Sequence, residues 1–84
     1  MKREEISNAL QQFIQTSILA GGRRINEHSN LREAGVDSFS IVEIILFIEN
    51  EFAVVIPDEK LLPENFETLF TLSAIVYELK PDAH

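Results

Sequence analysis

Apolar residues recur three and four positions apart in several stretches of this chain, and that spacing predicts helices rather than strands. Ile6, Leu10, Phe13, Ile14 and Ile18, with Gln11, Gln12 and Gln15 between them, form a first amphipathic helix that Gly21-Gly22 ends. The second helix runs from Asp37 or Ser38 to Phe52, because Asp and Ser favour the N-cap and no Gly or Pro follows. Ser40-Ile41-Val42-Glu43 also fits a capping box, which would start it later. Pro63 suits the first position of a short third helix holding Phe66. Thr71 can cap a last helix, striped by Leu72, Ile75, Val76 and Leu79, that Pro81 stops.

Two segments lie between these helices. Gly21 to Val36 is a polar loop with Ile25, Leu31 and Val36 as apolar anchors, long enough to carry function or a helical turn of its own. Ala53-Val54-Val55-Ile56 has β propensity but no second strong strand to pair with, so it reads as a loop with buried anchors. The expected fold is all-α: a small antiparallel four-helix bundle of three main helices and one short one, with residues 1–84 as a single domain.

The second helix carries two apolar stripes. At about 100° per residue, Ile41, Ile44, Ile45, Ile48 and Phe52 fall on one side and belong in a core. Phe39, Val42 and Leu46 fall opposite, edged by Glu43, Glu49 and Asn50. A bundle helix buries one stripe, so the second is either a docking face for an apolar, basic-edged partner or is covered by the long loop. Phe39, nearest the loop, fits both descriptions.

Charge narrows the partners. Seven basic and fourteen acidic residues give a net charge of −7, and a pI near 4.6. That field repels nucleic acid and anionic lipid and favours basic protein surfaces. Arg23-Arg24 is too short to act as a nucleic-acid patch in such a chain. No cysteine is present, which excludes disulfides, thiolate metal sites and a protein-borne thiol nucleophile. No signal-peptide pattern follows the charged N-terminus, and acids and Asn50 interrupt the apolar run from Ile41 to Ile56. The expectation is therefore no membrane span and a cytoplasmic location.

Ser38 lies where the second helix begins, so its hydroxyl is open to modification and an attached phosphate would sit near free backbone N–H groups. A catalytic serine fits poorly. Val36-Asp37-Ser38-Phe39-Ser40 lacks the glycines of a nucleophile elbow, and only His28 and His84 are available as bases. His28 itself reads as a solvated side chain, with no spacing that suggests a metal site. Glu4-Glu5, Glu49 with Glu51, and Asp58-Glu59 read as solvated faces or helix-start charges. Phe66, Phe70 and Tyr77 read as core or near-core aromatics.

Leu31-Arg32-Glu33-Ala34-Gly35-Val36-Asp37-Ser38-Phe39, then Val42-Glu43, Glu51-Phe52 and Ile56-Pro57-Asp58, resembles the acyl carrier protein family from Leu31 to Leu79. The resemblance implies a non-catalytic four-helix carrier whose serine, matched by Ser38, bears a 4′-phosphopantetheine arm taken from coenzyme A. Acyl groups would ride on the arm's thiol, so sulfur chemistry is imported. It further implies that Asp37 helps present Ser38 to a phosphopantetheinyl transferase. The second helix would meet basic docking patches on acyl- or aminoacyl-loading and transfer enzymes. There Glu43 and Glu49 would steer encounter, and Phe39, Val42 and Leu46 would supply apolar contact, with the carrier expected to act as a monomer. Cargo is expected between the second and third helices, near Phe47, Ile56 and Leu61.

Three positions depart from the family pattern. Phe39 replaces the usual Leu, Ser40 replaces a commonly acidic residue, and Ala53 stands where Gly often follows the Phe. A left-handed Ala53 would cost about 1 kcal/mol. Leu62 to Leu69 looks like a segment of discrete carriers from secondary-metabolite or amino-acid-loading pathways. The alternative function is an unmodified helical interaction module that docks through the second helix without bearing the arm.

Overall fold

The computed structural model describes residues 1–19, 21 and 23–80. It is helical throughout, with no strand among the described residues. Helix α1, Arg3–Phe13, begins with the Glu5 carboxylate accepting the Lys2 backbone N–H at 2.7 Å. Ile6, Leu10 and Ile14 lie in line on its fully buried side. From Ile14 to Ile18 the backbone widens into a π-helical turn, closed by the Leu19 N–H on the Ile14 carbonyl at 2.9 Å. Thr16 Oγ1 donates back to the Gln12 carbonyl within this turn, a bond that competes with the regular ladder. The predicted helix is thus present, but its last turn is not α. Gly21 adopts a left-handed φ of 70°; Gly22, expected beside it as a stop, lies outside the described residues.

The polar loop is held by two glutamines one turn apart on this helical segment. Gln11 Nε2 donates to the carbonyl of Ile25, and Gln15 Oε1 accepts the Ile25 N–H at 2.9 Å. Both backbone groups of a buried anchor are thereby satisfied, which lets a loop pass over the core. The helical turn expected within the loop is α2, Leu31–Ala34, capped by Asn30 Oδ1 on the Glu33 N–H. Gly35 ends it at φ 123°, a conformation that strains any residue with a Cβ. Leu31 N–H donates to the Glu67 carbonyl and Phe70 N–H to the Glu27 carbonyl, each at 2.9 Å, tying the loop to the last helix.

Helix α3, Ser38–Phe52, buries Ile44, Ile48 and Phe52 completely or nearly so, with Ile41 and Ile45 packed at the edge of the core. Phe47 stacks on Phe13 at 4.3 Å between ring centres. The same ring meets Phe52 edge-on at 5.9 Å. Ala53 ends α3 in the left-handed region at φ 57°, and Lys80 Nζ donates to the Phe52 carbonyl at 3.1 Å. A cation at that end complements the helix dipole. Val54 and Ile56 are buried and Val55 is exposed, as a loop with apolar anchors requires.

The short helix expected to open at Pro63 and hold Phe66 is there, as a 3-10 helix over Pro63–Phe66 that follows another at Asp58–Lys60, and Phe66 is buried. A further short α-helix is α2. One boundary departs from expectation. Thr71 does not cap the last helix, α4, Leu69–Leu79: Thr68 does, through Oγ1 on the Thr71 N–H at 3.1 Å. Thr71 Oγ1 reciprocates by accepting the Thr68 N–H at 3.2 Å, so it occupies the third position of a capping box. Leu72, Ile75 and Val76 face inward as expected, and α4 packs mainly on α1. Phe70 is not core. It is 39% exposed, with the Arg3 guanidinium 4.0 Å above its ring and the His28 ring 5.2 Å away. Pro81, expected to stop α4, lies outside the described residues.

The left-handed Ala53 yields a direct stability prediction. Ala53→Gly should raise the unfolding free energy by about 0.5–1 kcal/mol, because glycine reaches that conformation without a Cβ clash. Urea unfolding followed by circular dichroism reads the change, and a midpoint that stays put or falls would contradict it.

Candidate functional site

Two turns meet at the start of α3 and define the site. Gly35 swings the chain out of α2, with its N–H on the Arg32 carbonyl and the Val36 N–H on the Leu31 carbonyl. Asp37 then adopts an extended backbone, and its Oδ1 accepts the Ser40 N–H at 2.8 Å, making it the N-cap. Of the sequence alternatives this is the earlier start; the capping box from Ser40 to Glu43 is not used. Ser38 is consequently the first residue of the helix. It is exposed, and its hydroxyl takes part in no hydrogen bond among the described residues.

Electrostatics follow from the cap. The Ser40 backbone N–H, helped by the Ser40 hydroxyl, holds the Asp37 carboxyl below the usual carboxylate range. The Asp37 side chain is therefore already engaged in starting the helix. It does not bond the Ser38 hydroxyl, so it orients that residue through the backbone rather than by touching it.

The second apolar stripe of α3 is exposed, as the helical wheel places it. Phe39 is 76% accessible, Val42 55% and Leu46 53%, so the loop does not cover Phe39. Glu43 and Glu49 are exposed on the same helix and form no ion pair among the described residues. The outward side of α3 is thus apolar, rimmed with unpaired acids, and continuous with Ser38 at its N-terminal end.

An open groove of about 1020 Å³ adjoins Ser38. One wall is α2, the turn after it and the inner edge of α3, with Arg32, Asp37, Ser38, Ile41 and Ile45; Leu61, Leu62 and Phe66 face them. Of the residues expected around cargo, Leu61 lines this groove but Phe47 and Ile56 do not. Phe47 is turned toward α1 by its stack on Phe13, and Ile56 is one of the buried core residues. Sequence reasoning missed Arg32, Asn30 and Leu62; the Leu61-Leu62-Pro63 run, apolar ahead of a proline, was the available signal for the last of these.

The site fits a covalently attached, flexible group: an exposed and unbonded hydroxyl, a helix N-terminus beneath it and a groove beside it. Comparison with known proteins agrees. A family model described as a phosphopantetheine attachment site matches residues 5–76. Aminoacyl carrier protein 1 of Bradyrhizobium diazoefficiens is 29% identical over 80 residues, covering 94% of this chain and 87% of that protein. The acyl carrier protein of Lactobacillus acidophilus is 34% identical over 61 residues, 71% of this chain and 76% of that one. The fold superposes, with a TM-score of 0.72 and 28% identity, on a chain of a crystal structure of the Bradyrhizobium japonicum glycine:[carrier protein] ligase complexed with its cognate carrier protein and an analogue of glycyl adenylate. That match covers 90% of this chain and 96% of the other.

The chain belongs to the acyl carrier protein family. It is a phosphopantetheine-bearing carrier and not itself a catalyst. Among the described residues, no helix is long and apolar enough to cross a membrane.

The cap predicts a pH signature. Asp37 titrates below its unfolded value, so its contribution to stability is present above the normal carboxylate pKa. It fades as pH falls through the lower folded value. Asp37→Ala should lower the thermal midpoint at neutral pH, and the gap to wild type should close in acid. A gap that is the same at both pH values would show that the carboxylate is not the cap.

Proposed function

We propose that Ser38 is the attachment residue for 4′-phosphopantetheine and that the carrier's cargo is aminoacyl. One observation carries the attachment: the unbonded, solvent-facing Ser38 hydroxyl on the first turn of α3, immediately after the Asp37 cap. The chain has no cysteine, so the arm provides the sulfur that bears cargo as a thioester. Asp37 presents the serine by fixing where the helix starts. The groove between α3 and residues 61–66 gives the arm and its cargo a partly apolar wall to lie against.

Support for aminoacyl cargo comes from relatives. An aminoacyl carrier matches nearly the whole chain, and two similar solved chains come from complexes of a glycine:[carrier protein] ligase, one with a glycylated carrier. The reading accordingly names two kinds of partner, a phosphopantetheinyl transferase and an amino-acid-loading ligase. Phe39, Val42 and Leu46 give such enzymes an apolar contact, while Glu43 and Glu49 speed encounter with a basic patch and select against acidic ones. The working unit in this reading is a monomeric carrier domain acting in the cytoplasm, where coenzyme A, transferase and ligase would meet it.

Intact-mass measurement tests the attachment. Incubation with coenzyme A and a broad-specificity transferase should add one phosphopantetheinyl group to wild type and none to Ser38→Ala. No gain in wild type would favour the unmodified interaction module. Addition of ATP, glycine and an amino-acid:[carrier protein] ligase to the loaded protein should then add one aminoacyl mass, whereas acylation by a fatty-acyl-loading enzyme alone would reverse the cargo assignment.

The docking face has its own test. Leu46→Glu should keep the helical circular-dichroism spectrum, because Leu46 faces solvent, yet slow ligase loading by about tenfold or more. Unchanged loading would place the contact elsewhere on the molecule.

A further inference from the structure

A phosphodiester on Ser38 would put a negative charge one residue from the Asp37 carboxylate, in a chain that already carries a net charge of −7. Backbone N–H groups at the start of α3 offset part of this, but the Ser40 N–H is already taken by Asp37. A protein cation beside the phosphodiester would offset more of this charge. Arg32 is the only cation among the residues that line the groove with Ser38.

The placement of Arg32 follows from local structure. It sits in α2, which the Gly35 turn ends with its N–H on Arg32's own carbonyl at 3.1 Å, and Arg32 and Ser38 line the same groove. The Arg32 side chain is exposed and forms no ion pair or hydrogen bond among the described residues. Glu64 and Glu67 also line the groove, yet neither is close enough to pair with it. Asn30 stands with it in the lining. Its Oδ1 is committed to the Glu33 N–H, which leaves its NH₂ as a second donor. The other arginines point to different surroundings: Arg3 lies over Phe70, and Arg23 and Arg24 border a separate hollow.

We propose that Arg32 is a positioning residue for the prosthetic arm: its guanidinium pairs with the phosphodiester on Ser38 and holds the arm's root against α2. A planar guanidinium can donate two parallel N–H bonds to phosphate oxygens, which fixes direction as well as charge. The acids in the same groove repel the phosphate and reinforce that choice. The pairing directs the rest of the arm along the groove toward Leu61 and Leu62 and leaves the Phe39, Val42 and Leu46 face uncovered for docking. This inference rests on Ser38 being the attachment residue.

Nuclear magnetic resonance of the apo and loaded full chain tests it, with intact mass recorded on the same samples. Loading should shift the Arg32 Nε–Hε cross-peak, identified by its loss in Arg32→Gln. The arm's phosphorus resonance should move and sharpen in Arg32→Gln and return toward the wild-type position in Arg32→Lys. A merely structural role for Arg32 would leave the phosphorus signal where it is. If the mass shows the arm in place but the Arg32 cross-peak does not move, the pairing is wrong while the attachment stands. If the mass shows no arm, both fall. Sequential resonance assignment of wild type identifies the Arg32 cross-peak independently, so the wild-type comparison stays decisive even if a variant folds poorly.

Discussion

The Asp37 carboxylate on the Ser40 N–H is the interaction on which the rest of the site depends. A helix must satisfy its first N–H groups, and the residue that does so decides where the helix begins. Because Asp37 takes that role, Ser38 becomes the first helical residue with its hydroxyl unspent. From that start, residue spacing along α3 carries Ile44, Ile48 and Phe52 to the core and leaves Phe39, Val42 and Leu46 exposed. A start shifted to Ser40 would leave Ser38 in the loop and take away its place on the helix.

In the proposed function, attachment and docking are two consequences of one helix. Its buried face anchors it against α1 through the Phe13–Phe47 stack and the isoleucines. Its exposed face presents apolar surface rimmed with acids, and its N-terminus presents the hydroxyl. The loop before it is no passive connection. Gln11 and Gln15 grip Ile25, α2 follows, and Gly35 delivers Arg32 and Ser38 to the same groove. A carrier needs little else, since its chemistry is done by others.

Much of this was legible in the residues, and the limits have physical causes. The second helix, its two stripes and the exposed Asp37-Ser38 start follow from spacing and capping preference, which are local. Thr68 takes the cap expected of Thr71, because either threonine can cap and only the geometry of the chain arriving from Phe66 decides between them. Pro63 marks the start of a short helix, but whether that helix is 3-10 or α does not follow from the proline alone. The expected cargo position of Phe47 fails because a helical wheel gives direction, not neighbours; its partner, Phe13, is far away in the sequence. Nothing in the local pattern singles out Arg32, because its place in the groove with Ser38 depends on the turn at Gly35.

Peptide mapping of the chain purified from cells that contain a phosphopantetheinyl transferase tests the central claim most directly. Fragmentation should release the pantetheine group from the peptide containing Ser38 and locate it on that residue, with Ser40 unmodified. The arm on Ser40, or on any other serine, would contradict the account, as would a chain that carries none.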